Sequence, residues 1–144
     1  RHVCGLELAV AKLIRQFGLE TTVWVSSFKP YSLALMRHLA PEIGCGLLYS
    51  PMSLAGLLLV PITPFESFHP HVSLVSPWFV QLAHALGRRV VVWTVDSPTV
   101  ARELADRRVD AVITNDPGRI LTGISLADSV LLSGGSTQSY GATR

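Results

Sequence analysis

Two apolar runs, VVVWTV at 90–95 and AVI at 111–113, are each followed closely by a proline, Pro98 and Pro117, that is suited to begin a helix. Continuous apolar strands are typical of parallel sheets whose two faces are both covered by helices. Apolar residues at helical spacing lie before and after these runs, so strands and helices alternate along the chain. This alternation predicts an α/β fold built on a parallel sheet.

The same reasoning divides the chain into the order αβαβ, a long connection, and then αβαβα. The predicted strands cover residues 21–28, 46–49, 90–95 and 109–115, and the predicted helices cover 6–17, 30–40, 77–86, 98–105 and 117–121. Residues 50–72, rich in proline and without a clean period, are predicted to be an ordered connection containing one short helix at 53–59. An open doubly wound sheet and a barrel both satisfy this order, and periodicity does not separate them.

Composition supports one domain with a sizeable core, because hydrophobic residues make up 49% and charged residues only 15% of the 144 residues. We expect the domain to occupy residues 1–123. The remaining 124–144 are expected to form a tail, mobile from about residue 133, where glycine, serine and threonine accumulate. The helix at 77–86 is expected to place its apolar side inward through Trp78, Leu82, Ala83 and Leu86.

Charge and cysteine content exclude several classes of protein. The net charge of +2 is too small, and the basic residues too scattered, to predict binding of nucleic acid. The longest apolar region, residues 47–62, is interrupted by prolines and falls short of the ~20 residues that a membrane-spanning helix needs. The two cysteines, Cys4 and Cys45, form no CxxC pair and are expected to be reduced thiols.

The chain begins with Arg1, and we therefore interpret it as a piece of a longer protein. No signal segment precedes the first predicted helix, which favours a cytoplasmic location.

Ligands of parallel α/β folds gather at the carboxyl ends of the strands. Three predicted strand ends carry polar or aromatic residues: 26–28, 93–96 and 114–116. Ser97 and Asp116 are each expected to cap the following helix. Trp93 either faces a pocket or packs beneath a helix, and its sequence position leaves both open.

The pair His69 and His71 lacks further ligands of the kind that a zinc site requires. Metal binding is therefore not predicted from this pair.

The segments VWVSSF at 23–28, FHPHVSLVSPWFVQLAHALGRRVVVWTVD at 68–96 and VDAVITNDPGRIL at 109–121 together resemble the C-terminal half of the glycerophosphodiester phosphodiesterase family. The resemblance covers roughly residues 5 to 122. It implies a partial TIM (β/α)8 barrel in which this chain supplies strands five to eight with their helices. It also implies hydrolysis of a glycerophosphodiester to glycerol 3-phosphate and an alcohol, assisted by a divalent metal, Ca or Mg.

The family's His-Arg-Gly and Glu-x-Asp motifs do not occur in these 144 residues. The resemblance therefore assigns no catalytic residue and no metal ligand to this chain, and it implies a fragment that is inactive alone. It does assign a wall of the substrate pocket, made chiefly by Phe28 and Trp93, with Ser27, Asp96 and Thr114 at the same rim. Asp96 departs from the family, which usually has Asn after WTV.

Other interpretations remain open at this stage. The chain could be a catalytically empty module for binding or association, in which the unpaired edges of a partial barrel pair with another copy. It could also be an unrelated open-sheet domain that binds small anions. The small-molecule partner implied by the resemblance is a glycerophosphodiester.

Overall fold

The computed structural model describes residues 5–53 and 63–133, and side chains up to residue 125. The helices are α1 (Gly5–Gln16), α2 (Pro30–Leu39), α3 (Pro77–Ala85), α4 (Pro98–Asp106) and α5 (Pro117–Ser133). The strands are β1 (Trp24–Ser27), β2 (Gly44–Tyr49), β3 (Ser67–Pro70), β4 (Arg89–Val92) and β5 (Ala111–Val112). The predicted helix at 53–59 and the predicted mobile tail lie almost wholly outside the described residues.

All five strands are parallel and follow one another in chain order across the sheet, β1-β2-β3-β4-β5. Doubly wound sheets reverse their strand order at a switch point, whereas a β/α barrel adds each strand beside the last. The sequential order therefore confirms the partial barrel over the open doubly wound sheet. The described strands do not close the barrel, because β1 and β5 lie at opposite edges of the sheet.

The structure corrects the prediction for residues 50–72, since β3 lies within the segment that we expected to be a connection. All four residues of β3 are buried, and it pairs with β2 on one side and β4 on the other. A four-residue strand that is buried throughout shows no alternation, and its terminal proline argues against a strand. Pro70 is the last residue of β3, and its carbonyl accepts the N–H of Trp93.

Alternation along the strands separates an outer face from an inner one. The outer face packs against the helices and forms the core through Cys45, Leu47, Tyr49, Phe68, Val90 and Val92, all of them buried. The inner face carries Trp24, Ser26, Gly46, His69 and Val91. It is more open, since Ser26 is exposed and Val91 only half-buried.

Helix α3 faces the sheet differently from the prediction. Ala83 is buried as predicted, and Val80 is buried as well, whereas Trp78, Leu82 and Leu86 are 66%, 45% and 61% exposed. The helix carries apolar residues on most of its surface, so periodicity alone does not identify the inward side. Contacts of Phe79 with Tyr49 and Phe68 fix the rotation of the helix instead.

Two residues cap helices through their side chains, and Asp116 does so as predicted. Ser76 accepts the N–H of Phe79 at 3.4 Å, and Asp116 accepts the N–H of Arg119 at 2.9 Å. Ser97 stands at the N-cap of α4 but makes no capping hydrogen bond with its side chain, which corrects the expectation. The first predicted helix ends as expected before Gly18, whose φ of 64° suits glycine.

Helix α5 is longer than predicted, running from Pro117 to Ser133 rather than ending near Leu121. It therefore crosses the predicted domain boundary at residue 123. Gly123 lies so close to α4 that a Cβ there would be 2.4 Å from the Cβ of Pro98. This close approach ties the first half of α5 to the barrel. No helix in the described residues is long and apolar enough to cross a membrane.

Candidate functional site

Three aromatic rings meet where β1, β3 and β4 end, and we call them the aromatic rim: Phe28, His71 and Trp93. The rings of Phe28 and Trp93 are 5.6 Å apart between centroids at an interplanar angle of 84°. The rings of His71 and Trp93 are 5.3 Å apart, also at 84°. Phe28 is 42% exposed, so this rim is open to solvent.

Trp93 is held firmly by its neighbours. Its indole Nε1 donates a hydrogen bond of 2.7 Å to the backbone carbonyl of His69. Its backbone N–H donates to Pro70 at 3.1 Å, and its carbonyl accepts the N–H of Val72 at 2.7 Å. Trp93 directly follows β4 and forms a parallel bridge with His71, so it lies on the inner face with Val91, two residues before it. The orientation that the sequence left open is therefore toward the inner face and its rim.

Below the rim lies a serine–histidine cluster made of Ser26, Ser67 and His69. The Oγ of Ser26 is 2.8 Å from Nδ1 of His69, and the Oγ of Ser67 is 2.7 Å from its Nε2. In the sheet register Ser26 is level with Gly46, which is level with Ser67. A Cβ on Gly46 would lie 2.2 Å from Nε2 of His69, so the imidazole occupies the space above this glycine.

The imidazole of His69 is only 2% exposed. Burial lowers the pKa of His69 from its ordinary 6.5 to about 4, because a charged imidazole loses its hydration there. At neutral pH the ring is uncharged and has one donor and one acceptor nitrogen. Two serine hydroxyls, each able to donate or accept, satisfy both nitrogens in either tautomer. The cluster is therefore a neutral hydrogen-bond network across the inner face.

Asp96 and Thr114 lie together at the ends of β4 and β5. Oδ1 of Asp96 accepts hydrogen bonds from the Thr114 hydroxyl at 3.0 Å and the Asn115 N–H at 2.8 Å. Its Oδ2 accepts from the Asn115 side chain at 2.8 Å. The Asn115 backbone N–H and side chain hold the pKa of Asp96 below its ordinary value. The carboxylate therefore joins two strand ends rather than facing the rings.

Ser27 points away from the aromatic rim. Its hydroxyl accepts the N–H of Lys29 at 3.0 Å, and it lines a cavity of about 210 Å³ between β1 and helices α1 and α2. Sequence reasoning named Ser27, and it missed Ser26 and His69, which lie on the inner face. Glycine at two alternate positions of β2, Gly44 and Gly46, was the available signal, because glycine in a strand marks a close approach.

Deeper on the inner face lies a cavity of about 330 Å³. Its lining residues are Trp24, Ser26, His69, Arg89, Val91, Asp110, Ala111 and Ile113. The guanidinium of Arg89 stands 5.4 Å from the centroid of the Trp24 ring, a cation–π contact that joins β1 and β4 across the sheet.

The donors required for a divalent metal are not assembled here. Residues 5–53 and 63–125 contain no group of three or more His, Cys, Asp or Glu side chains that could hold an ion. The carboxylate of Asp96, closest to the strand ends, is occupied by its own hydrogen bonds. The described part of the chain therefore does not fit a metal centre.

Curated relatives match this chain over most of its length. A glycerophosphodiester phosphodiesterase of Caldanaerobacter subterraneus subsp. tengcongensis is 29% identical over 117 residues, covering 81% of this chain and 48% of the relative. One from Bacillus altitudinis is also 29% identical over 117 residues, covering 80% of this chain and 48% of that protein. The chain thus spans about half the length of the curated relatives that it matches.

Solved structures of phosphodiesterases share the fold of this chain. An Oleispira antarctica phosphodiesterase in complex with the product sn-glycerol-3-phosphate has a TM-score of 0.70 at 25% identity, covering 84% of this chain and 51% of that one. A glycerophosphodiester phosphodiesterase of Thermotoga maritima shares the fold, with a TM-score of 0.56 at 18% identity over 83% of this chain and 54% of that one.

The described fold is that of one side of a TIM barrel, with an aromatic rim at the end where such barrels bind ligands. The family model of the glycerophosphoryl diester phosphodiesterases matches residues 2–119. The chain therefore belongs to the glycerophosphoryl diester phosphodiesterase family.

Proposed function

We propose that this chain supplies the alcohol-binding wall of a metal-dependent hydrolase that splits glycerophosphodiesters into glycerol 3-phosphate and an alcohol. The observation that carries the proposal is the meeting of Phe28 and Trp93 at the carboxyl end of the sheet. Two rings fixed on a rigid scaffold, Phe28 exposed and Trp93 half-buried, form a wall for a ligand group. The family supports the substrate class, since a relative of this fold has been solved with glycerol 3-phosphate bound.

The chain alone does not carry the reaction in this proposal. The described residues do not gather donors for the divalent metal that the family implies, which would supply polarisation of the phosphoryl oxygen of the substrate. The metal, Ca or Mg by family resemblance, would be held by barrel strands outside this chain. The role of these residues is to bind and orient the alcohol while those strands supply the metal and the acid–base groups.

A second candidate function is association. The edge strands β1 and β5 of the described sheet have no strand beyond them, and edges of this kind pair with other chains. A second copy of the chain is one partner that such edges can accept. Sedimentation of the purified chain tests this candidate, which requires a dimer or larger assembly and is contradicted by a monomer at all concentrations.

The hydrolase proposal is tested by complementation. The 144-residue chain is mixed with, or joined to, the part of the Caldanaerobacter relative that it does not match. Release of glycerol 3-phosphate from glycerophosphocholine is followed with Ca or Mg. We expect turnover only in the combined protein, and a loss of tenfold or more in kcat/KM for Trp93→Ala.

Trp78→Ala is the matched control, because Trp78 is exposed on α3, away from the inner face. Equal loss in both variants would contradict a role for Trp93 in binding. A folded combined protein without turnover would contradict the hydrolase proposal itself.

A further inference from the structure

We propose that Ser26 is a positioning residue, which sets the distance between the rings of Phe28 and Trp93. It acts through its hydrogen bond to His69 in the serine–histidine cluster. The use of the two rings as a ligand wall rests on the proposed function. The link between the cluster and the separation of the rings rests on the geometry of the inner face alone.

The hydrogen bond between Ser26 and His69 joins two strands that are not neighbours in the sheet. Ser26 is in β1 and His69 is in β3, and β2 lies between them. The bond, 2.8 Å long, reaches over Gly46, whose missing side chain leaves room for the imidazole. It therefore connects β1 to β3 directly on the concave side of the sheet.

On the β3 side, this connection continues to Trp93 through the backbone. The indole Nε1 of Trp93 donates to the carbonyl of His69, the same residue whose side chain is bonded to Ser26. The backbone N–H of Trp93 donates to Pro70, the next residue of β3. The position of the Trp93 ring therefore follows the position of His69.

On the β1 side, Phe28 lies two residues after Ser26. Side chains two residues apart in an extended chain point to the same face, and the contact of Phe28 with Trp93 shows that this is the inner face. Ser27, between them, lines the cavity next to α1 and α2 instead. A shift of Ser26 relative to β3 should therefore carry Phe28 with it.

The imidazole of His69 is a rigid connector between the two sides. It is buried, and its Nε2 is paired with the Ser67 hydroxyl at 2.7 Å. The ring of Trp24 stacks on it, with centroids 6.4 Å apart and an interplanar angle of 26°. Groups locked in this way by packing and hydrogen bonds hold neighbouring binding residues in place.

The two serines of the cluster differ in what they connect. Ser67 belongs to β3, the same strand as His69, so its hydrogen bond adds no link between strands. Ser67 is also buried, whereas Ser26 is exposed. Loss of the Ser67 hydroxyl leaves a buried nitrogen without its partner, while water can replace the hydroxyl of Ser26. The effect on stability and the effect on the rings should therefore separate between the two serines.

The test compares Ser26→Ala with Ser67→Ala in the 144-residue chain. The nuclear Overhauser effect between the rings of Phe28 and Trp93 reports their separation, and urea denaturation reports stability. In Ser26→Ala we expect this ring-to-ring signal to weaken and the Trp93 indole N–H resonance to move. In Ser67→Ala we expect native signals despite a loss of stability at least as large. Ser26→Thr keeps the hydroxyl and should restore the native signals.

A native ring-to-ring signal in Ser26→Ala would overturn the proposal. Equal weakening in Ser67→Ala would also overturn it, because that result would show a general loosening of the chain. A Ser26→Thr variant that behaves like Ser26→Ala would show that the hydroxyl is not the cause. If Ser26→Ala did not fold, Ser26→Val against Ser26→Thr would give the same comparison at nearly equal side-chain volume.

Kinetics of the protein completed with the unmatched part of the Caldanaerobacter relative separate this proposal from the proposed function. There Ser26→Ala should raise the KM for glycerophosphocholine about three- to tenfold and leave kcat within about twofold, because the rings bind the alcohol and do not react. Ring signals that respond as expected with an unchanged KM would contradict the ligand wall and retain the positioning role of Ser26.

Discussion

The rings of Phe28 and Trp93 meet with centroids 5.6 Å apart although β2 and β3 lie between their strands in the sheet. Three strand spacings in a flat sheet amount to about 14 Å, too far for this contact unless the sheet curves. The hydrogen bond between Ser26 and His69 also passes over β2. The inner face is thus concave, which is the property that lets one side of a barrel form part of a pocket.

Gly46→Ala should destabilise the chain because the added Cβ would lie 2.2 Å from the His69 ring. Both nitrogens of the imidazole are hydrogen-bonded to serine hydroxyls, so displacing the ring disrupts these bonds, and we expect a loss of about 1–3 kcal/mol in the free energy of unfolding. Urea denaturation measures it. Gly44→Ala is the matched control on the same strand and face, where the nearest atoms, on Trp24, are 3.0 Å away. Losses of equal size in the two variants would contradict the account of Gly46.

His69 should make stability depend on pH between about 6.5 and 4. Its folded-state pKa of about 4 lies below the ordinary 6.5, so the unfolded chain takes up the proton first as the pH falls. The neutral imidazole therefore contributes about 3 kcal/mol to the free energy of unfolding above pH 6.5. This contribution is lost as the pH falls toward 4.

His69→Gln should remove this slope. The measurement is the free energy of unfolding of both proteins at several pH values in that window. Parallel curves for the two proteins would show that His69 does not titrate as described.

Asp96→Asn should loosen the link between the ends of β4 and β5. The new amide would place a donor against the Asn115 side chain, which donates to Asp96 in the native protein. We expect faster hydrogen exchange at the Asn115 N–H and a lower melting temperature. The reciprocal change Asn115→Asp in the same protein restores a donor–acceptor pair and should recover part of the loss. A double variant no better than Asp96→Asn would argue against this link.

The Asn115 backbone N–H is the main cause that holds the pKa of Asp96 below its ordinary 3.8. The ionised carboxylate therefore stabilises the folded chain above pH 3.8, and this stabilisation is lost as the pH falls below that value. The difference in stability between the native protein and Asp96→Asn should therefore shrink in acid.

Gly123→Ala should weaken the packing of α5 on α4. The new Cβ would lie 2.4 Å from a ring carbon of Pro98, which is too stiff to turn aside, and we expect a loss of about 1–3 kcal/mol. Gly118→Ala is the control in the same helix, since its nearest atom, on Asp116, is 3.6 Å away. Thermal unfolding compares the two. If Gly123→Ala were as stable as Gly118→Ala, the first half of α5 would not belong to the packed domain.

The sequence was sufficient for features set by local chemistry. Prolines located the starts of α2, α3, α4 and α5, and the apolar run at 90–95 located β4, because both signals act within a few residues. The sequence located Phe28 and Trp93 at strand ends, and their role as a pocket wall, which the family resemblance implies, stays a prediction. Their mutual contact was not predictable from spacing, since it depends on the curvature of the sheet.

The features missed depend on neighbours in space. Strand β3 is recognisable only because it pairs with a strand on each side. The serine–histidine cluster is recognisable only from the sheet register, which aligns Ser26, Gly46 and Ser67. The prediction favoured Ser27 over Ser26. The sequence of a single strand does not show which of its alternate residues face inward, so the inner face could not be identified from it. Three of the four residues predicted to face inward from α3, Trp78, Leu82 and Leu86, are exposed, because the apolar residues of this helix do not form a single stripe.

The most direct measurement is the hydrolysis of glycerophosphocholine by the purified 144-residue chain alone, with Ca or Mg, followed by ³¹P NMR. The account predicts no glycerol 3-phosphate above the buffer control, with turnover appearing when the complementary half of the barrel is added. Turnover by the chain alone at ordinary enzymatic rates, on the order of 1 s⁻¹ or faster, would show that these residues hold the metal and the acid–base groups themselves.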